Sequence, residues 1–425
     1  MGSKLTFIAL LFYSASLTAA PFNGYIVKFK NGSGPSSQRA VSSLTGLGRI
    51  TPIPATGFGN FALLHLREGV SGGRSLKPVD NSEIEYIEPN YISSVSEDPA
   101  QSGRAGSYEP EDEMFGEQWA LNNGDTGEDL NALKAWSVAA GSSEIKIAVI
   151  DTGVDYNHPD LKNRIDVNLA ELYGKPDLDD DGNGFVDDIY GYNFADNNGD
   201  PMDLRGHGTH CAGVIGAEHN AIGVAGVMAK VKIVPIKFIS DNGEGENINA
   251  VRAIDYAIKR GVKIMSNSWG NGGESQALKD AIFAAQAAGV VFVAAAGNGA
   301  GNNDISPVFP ASYDLSNVIS VGAFSPSGAM DSSSNYGPRS VHVFAPGSEI
   351  LSTYQGRYGF LSGTSMAAPH AAGVAGLMLA KDPGLTPAQI KAKLIASSKK
   401  TRFLSAASVS GGHIDAYEAL ISVIR

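Results

Sequence analysis

Five continuous apolar runs rich in β-branched residues, separated by helical patterns, constrain this chain more than any other feature. They lie at 145–150, 231–238, 264–266, 290–294 and 318–321. Helical periodicity falls at 248–260, 276–288, 366–380 and 387–396. A strand with one wet face alternates apolar and polar residues, whereas a run apolar at every position must be covered on both sides. Such strands alternating with helices predict an α/β fold, a mostly parallel sheet with helices on both faces. Gly289 stands where a helix C-terminal cap belongs, and Thr386-Pro387 reads as a cap followed by proline at the first helical position. In sheets of this kind chemistry gathers beyond the carboxyl ends of the strands.

The 425 residues exceed a usual single domain, so a second unit is expected. It falls before the sheet, where GYIVKFK at 24–30, FALLHL at 61–66 and EIEYIEPNYI at 83–92 read as strands. A weak helical signal lies at 38–47. Residues 1–20 have the pattern of an export signal: Lys4, an apolar stretch at 5–17, then Thr18-Ala19-Ala20. Pro21 follows directly, which leaves cleavage one residue away open. No other segment approaches transmembrane length, so a secreted protein, extracellular or periplasmic, without stable membrane association is expected. Between 96 and 117 seven acids face a single base, Arg104, in a Ser/Gly/Pro-rich linker suited to proteolytic processing.

Net charge is −12 and no basic stripe occurs, which argues against a nucleic-acid partner. Cys211 is the only cysteine, so no disulfide within the chain can form.

Three segments carry nucleophile chemistry. Asp151 ends the first apolar run and enters the turn DTGVD, although an acid there is often a plain turn residue. His207 lies in GHGTHCAGV between two glycines, with an apolar helical run just after it. His210 stands three residues on, so a metal pair is a rival, yet HExxH is absent and Cys211 is the sole further sulfur or nitrogen ligand nearby. Ser365 lies in SGTSMAAPH at the start of an Ala-rich helix, where free amides and the helix dipole favour negative charge. A serine there is commonly just a cap.

Taken together, VIDTGVDYNHPDL, GHGTHCAGVIGA, MSNSWG, AAAGNGA and GTSMAAPH resemble the segments of the subtilase family, from about residue 118 to the end. The order Asp, His, Ser is that of subtilisin-type triads. The unit at 21–95 resembles the inhibitor-type, ferredoxin-like propeptides that precede such enzymes. The resemblance implies a secreted serine endopeptidase of broad specificity made as a self-processing precursor. It would be a monomer without organic cofactor, acting on proteins and peptides and held by its own propeptide. Asp151, His207 and Ser365 would be the triad and Asn298 the oxyanion donor with the Ser365 N–H. Substrate would add as a strand between Gly243-Glu244-Gly245 and Ser268-Trp269-Gly270, with Val308 near the base of the main pocket. Cys211 would be a small buried residue beside the histidine.

The same resemblance implies structural calcium held by Asp160, Asn220 and the carbonyls of Glu218, Ile222 and Val224. A second calcium loop is read from DLDDDGNGFVDD at 177–188. Asp177, Asp179, Asp181 and Asp188 take positions 1, 3, 5 and 12 of an EF-hand spacing, and no helical pattern precedes it. Two alternatives remain open at this point, a processing protease for one defined partner and a calcium-stabilised binding protein whose triad is unused.

Overall fold

The computed structural model describes residues 20–30, 33–35, 44, 47–54, 56–67, 83–95, 98–99 and 110–424. The export signal up to residue 19, most of the helical signal at 38–47 and linker positions 96–97 and 100–109 lie outside the described residues.

The first unit contributes β1 (Phe22–Phe29), β2 (Gly48–Pro52), β3 (Asn60–Leu66) and β4 (Ile84–Ser94). They form an antiparallel sheet in the order β2-β3-β1-β4, the strand order of a ferredoxin-like unit. Tyr25, Val27, Phe29, Ala62 and Leu64 fill its small core. The two-residue β5 (Asp98–Pro99) pairs elsewhere.

The larger unit follows with β6 (Gly141–Asp151), β7 (Tyr192–Asn193), β8 (Lys230–Lys237), β9 (Glu244–Glu246), β10 (Ile264–Asn267), β11 (Val291–Ala295) and β12 (Val318–Phe324). Then come β13 (Val343–Pro346), β14 (Ile350–Tyr354), β15 (Arg357–Ser362), β16 (Lys399–Lys400) and β17 (Gly412–His413). Nine strands make one sheet, β16-β17-β13-β12-β11-β10-β6-β8-β7, parallel except for the β16–β17 edge. All positions of β10, β11 and β12 are buried, as the unbroken apolar runs require.

Alternate residues of β6 feed two cores. Ile147 and Val149 pack with the Thr364–Lys381 helix, and Ala148 and Ile150 pack with the helices Asn247–Lys259 and Gln276–Ala287. The Thr364–Lys381 helix is buried from Thr364 to Leu379, and its glycines permit that depth. A Cβ on Gly373 would stand 2.7 Å from Val227 Cβ. Thr386 and Gln389 form a reciprocal capping box, and Gly289 takes φ +76° just past the Gln276–Ala287 helix.

Three elements differ from the sequence reading. The His207–Gly216 helix begins at His207 itself. The β14–β15 hairpin was not read, although Gln355-Gly356, both at positive φ, is its turn signal. A one-turn helix, Leu169–Leu172, does precede the acidic loop.

Candidate active site

Asp151 is the last residue of β6 and so stands at the carboxyl edge of the sheet. Its Oδ1 accepts the Thr152 amide at 2.7 Å and lies 2.7 Å from His207 Nδ1. That bond fixes the imidazole with Nδ1 protonated. His207 opens its helix and Gly206 before it adopts φ +99°. Gly208 is needed because a Cβ there would lie 2.1 Å from the Gly153 carbonyl oxygen. Asp151 and His207 are fully buried and Ser365 is 3% exposed.

Asp203, unread in the sequence, holds this corner together. Its carboxylate accepts from Thr152 Oγ1 at 3.0 Å, the amides of Arg205 and Gly206, and both the amide and hydroxyl of Thr209. Thr152 Oγ1 in turn accepts the Gly208 amide. The turn after Asp151 and the turn before His207 are thereby one hydrogen-bonded unit.

Ser365 is the second residue of its helix, where amides have no intrahelical acceptor. Its Oγ donates to the Ser268 carbonyl at 3.1 Å. Asn298 approaches from the loop after β11. Its Oδ1 accepts the Thr364 amide at 2.9 Å and the Thr364 hydroxyl at 2.8 Å, which fixes the carboxamide and turns its Nδ2 toward Gly363. A Cβ on Gly363, at φ +139°, would lie 2.8 Å from that Nδ2. Thr364 and Asn335 were not anticipated. Asn335 Oδ1 accepts the Gly299 and Gly301 amides and so shapes the Asn298 loop.

A cavity of about 220 Å³ opens beside Ser365, lined by Ser268, Trp269, Gly270, Asn298 and Val308 among others. Val308 thus lines this cavity. No charged residue lines it among the described residues. Ser94 lines it too, because β4 runs antiparallel to β9, Ser93 opposite Gly245 and Ser94 opposite Glu244, while Ser94 also bridges Gly270. The first unit thus lays a strand between the two segments expected to take substrate. Beyond it, Asp98 pairs with Ser362. Glu88 accepts from Ser275 Oγ and the Gln276 and Ala277 amides, and Asn90 Oδ1 accepts the Ile248 amide. Two helix N-termini of the larger unit are thereby capped by the smaller.

His210 does not pair with His207 as a metal ligand. Its Nε2 donates to the Ile350 carbonyl at 2.8 Å, and burial pushes its pKa down to about 3, so it is neutral. Cys211 is buried, its Sγ 3.4 Å from Ser268 Oγ.

Asp160, fully buried, accepts from Asn220 Nδ2 at 3.0 Å and the Val224 amide at 3.1 Å. Glu218 and Ile222 belong to the same turn, Glu218 through its amide on the Asp160 carbonyl and Ile222 through its amide on Asn220 Oδ1. Burial raises the Asp160 carboxyl above its ordinary range. Asp112, missed in the sequence, accepts the Asn220 amide, and its buried Oδ2 has no partner among the described residues. The Asp160 and Asp112 carboxylates are hard oxygen ligands of the kind calcium takes, whereas Asn220 Nδ2 and the Val224 amide face Asp160 as hydrogen-bond donors.

In the acidic loop the carboxylates do not gather in the EF-hand frame. Oxygens of Asp181 and Asp188 gather with Glu171 within 4.8 Å, whereas Asp177 and Asp179 stand outside that group. Asp179 instead accepts the Asn183 and Gly184 amides, and Asp177 takes φ +64° with its amide on Asp187. Glu171 comes from the short helix that the sequence reading lacked, and its carboxylate binds the Asp180, Asp181 and Asp187 amides.

Residues 142–412 match the model of the Subtilase family, peptidase S8. The chain is 39% identical over 302 residues to the thermophilic serine proteinase of Bacillus sp. (strain AK1), covering 70% of this chain and 64% of that protein. It is 37% identical to thermitase of Thermoactinomyces vulgaris, covering 68% of this chain and 93% of thermitase. The crystal structure of fervidolysin from Fervidobacterium pennivorans, described as a keratinolytic enzyme related to subtilisin, aligns with TM-score 0.72 at 25% identity. That alignment covers 95% of this chain and 61% of fervidolysin. The chain thus spans just under two thirds of the Bacillus relative's length.

Proposed function

The chain belongs to the subtilase family, and from that premise we propose that it is a secreted serine endopeptidase of broad specificity, made as a self-processing zymogen. The observation that carries the reading is the Asp151–His207 bond, grouped with Cys211 whose Sγ lies 3.5 Å from the Ser365 carbonyl, together with an Asn298 amide locked by Thr364.

In this reading the Ser365 hydroxyl turns from the Ser268 carbonyl to His207, which takes its proton as Oγ attacks the peptide carbonyl carbon. The developing oxyanion is received by the Ser365 N–H and Asn298 Nδ2. His207 then protonates the departing amine, and water hydrolyses the acyl-enzyme by the same route. Asp151 holds the tautomer and stabilises the imidazolium.

The unit at 21–95 acts as propeptide, inhibitor and folding aid, and the linker is processed before Asp112, because Asp112 and Phe115 pack with the larger unit. Backbone pairing of Ser94 with Gly270 and of Asp98 with Ser362, three residues before Ser365, supports processing within this stretch. Calcium is structural: Asp160, Asn220 and Asp112 would hold one ion, and Glu171, Asp181 and Asp188 a second. The protein works as a monomer outside the cell or in the periplasm. Among the described residues no helix is long and apolar enough to cross a membrane.

The test is a fluorophosphonate probe with casein as substrate. Wild type is expected to be labelled and active. Ser365→Ala should be unlabelled, about 10⁶ slower in turnover, and still joined to its first unit. Unaided maturation of Ser365→Ala would refute the assignment.

A further inference from the structure

We propose that the pocket beneath Ser93 selects serine or threonine at the substrate residue that lies opposite Gly245. The proposal rests on the endopeptidase reading, with β4 standing where a substrate strand adds.

Side chains of a strand alternate between its faces. Along the end of β4, Ile92 is half-buried and Ser94 exposed, whereas Ser93 between them is completely buried. Hydrophobic burial alone dictates the reverse, with isoleucine inside and serine outside. The reason is what Ser93 meets. Its hydroxyl accepts from Asn271 Nδ2 at 2.8 Å and donates to Asn247 Oδ1 at 3.3 Å. Asn271 cannot turn away freely, because its Oδ1 accepts the Gly273 amide at 2.7 Å. Asn247, the first residue of its helix, is completely buried, and its Nδ2 has no partner among the described residues.

Both asparagines belong to the larger unit and remain when the first unit is removed. A hydroxyl can donate to one and accept from the other at once. A leucine or valine in its place would leave both bonds to Ser93 unmade, and Asn271 Nδ2 would keep only the longer bond to Asn247 Oδ1 at 3.4 Å. That loss falls on every bound state, including the transition state. Threonine keeps the hydroxyl and adds only a methyl group. Specificity that is broad elsewhere along the cleft is therefore narrowed at this one position.

The experiment uses quenched fluorogenic peptides of the chain's own sequence 88–99, with Ser, Thr, Ala or Leu at position 93. They are hydrolysed by the processed enzyme as wild type, Asn271→Leu and Asn247→Ala. For wild type, kcat/KM with Ser or Thr should exceed that with Leu by about tenfold or more. The ratio should fall toward one in either variant. A ratio within one preparation does not depend on how much of it is folded, and either variant suffices if the other fails to fold. Equal rates for Ser and Leu in wild type, or an unchanged ratio in the variants, would overturn the proposal. Failure of wild type to cleave any peptide would instead remove the endopeptidase reading, and the pocket proposal with it.

Discussion

Ser268 and Ser365 are joined twice: Ser365 Oγ donates to the Ser268 carbonyl at 3.1 Å, and Ser268 Oγ donates to the Ser365 carbonyl at 2.7 Å. The second bond exists because of Pro369. A helical carbonyl is normally met by the amide four residues on, and proline has none. Ser268→Ala should therefore leave the Ser365 carbonyl with only the weak Cys211 thiol at 3.5 Å. We expect a stability loss of about 1–3 kcal/mol by urea unfolding of the inactive Ser365→Ala background. No loss would show that Ser268 Oγ is not needed there.

Asp203 fastens the turns that carry Asp151 and His207. Asp203→Ala should lower kcat by about 10–10²-fold with a smaller change in KM, because misplacing the imidazole affects the transition state. Steady-state kinetics check this. An unchanged kcat would mean that the remaining packing holds His207 in place without the carboxylate.

On the proposed oxyanion role, Asn298→Leu should reduce kcat by about 10²–10³ at nearly constant KM. Thr364→Val keeps Asn298 but removes the hydroxyl that fixes its Oδ1 at 2.8 Å, so a smaller fall, about tenfold, is expected. A rise in KM alone for Asn298→Leu would assign that residue to ground-state binding.

Calcium should raise the melting temperature of Ser365→Ala protein relative to chelator. An ion that binds only the folded state adds about 2.7 kcal/mol at a hundredfold excess over its Kd. Glu171→Gln should lose part of the shift and one ion by direct metal analysis, whereas Asp177→Asn should keep both. The opposite pattern would restore the EF-hand frame.

Acid stability should depend on Glu128. Burial alone would raise its carboxyl, but hydrogen bonds from His413 at 2.8 Å and Lys399 at 3.0 Å hold it below the ordinary glutamate range. A depressed native pKa contributes stability that is complete above the unfolded value and lost as pH falls through the native one. The window therefore lies below about pH 4.3. Glu128→Gln should be less stable than its parent at pH 7, and the gap should narrow toward pH 3. Parallel pH profiles would sink this account.

Much of this protein was legible in local pattern. Unbroken apolar runs required a sheet covered on both faces, and β10 to β12 are buried at every position. Asp151, His207 and Ser365 each sit in short segments whose glycines mark close backbone approach. What the local pattern could not carry were partners distant along the chain. Asn298 was readable within its loop, but the hydroxyl that fixes it comes from Thr364. The acidic repeat at 177–188 suggested a frame of regular spacing. Backbone amides claim Asp179, and a glutamate from a preceding turn of helix joins Asp181 and Asp188 instead.

The sequence by itself determined the parallel sheet and the family motifs in which Asp151, His207 and Ser365 stand. Each of these follows from periodicity or from residues adjacent in the chain, where steric and hydrogen-bonding preferences act directly. Only the tertiary structure decided that Ser93 faces Asn247, 154 residues away. It also decided that Asp112 meets the Asn220 turn, and that Asp203 binds two turns into one corner. Such contacts are selected by the packing of whole layers, and a single polar residue in a strand or loop shows no trace of the partner it will bury against.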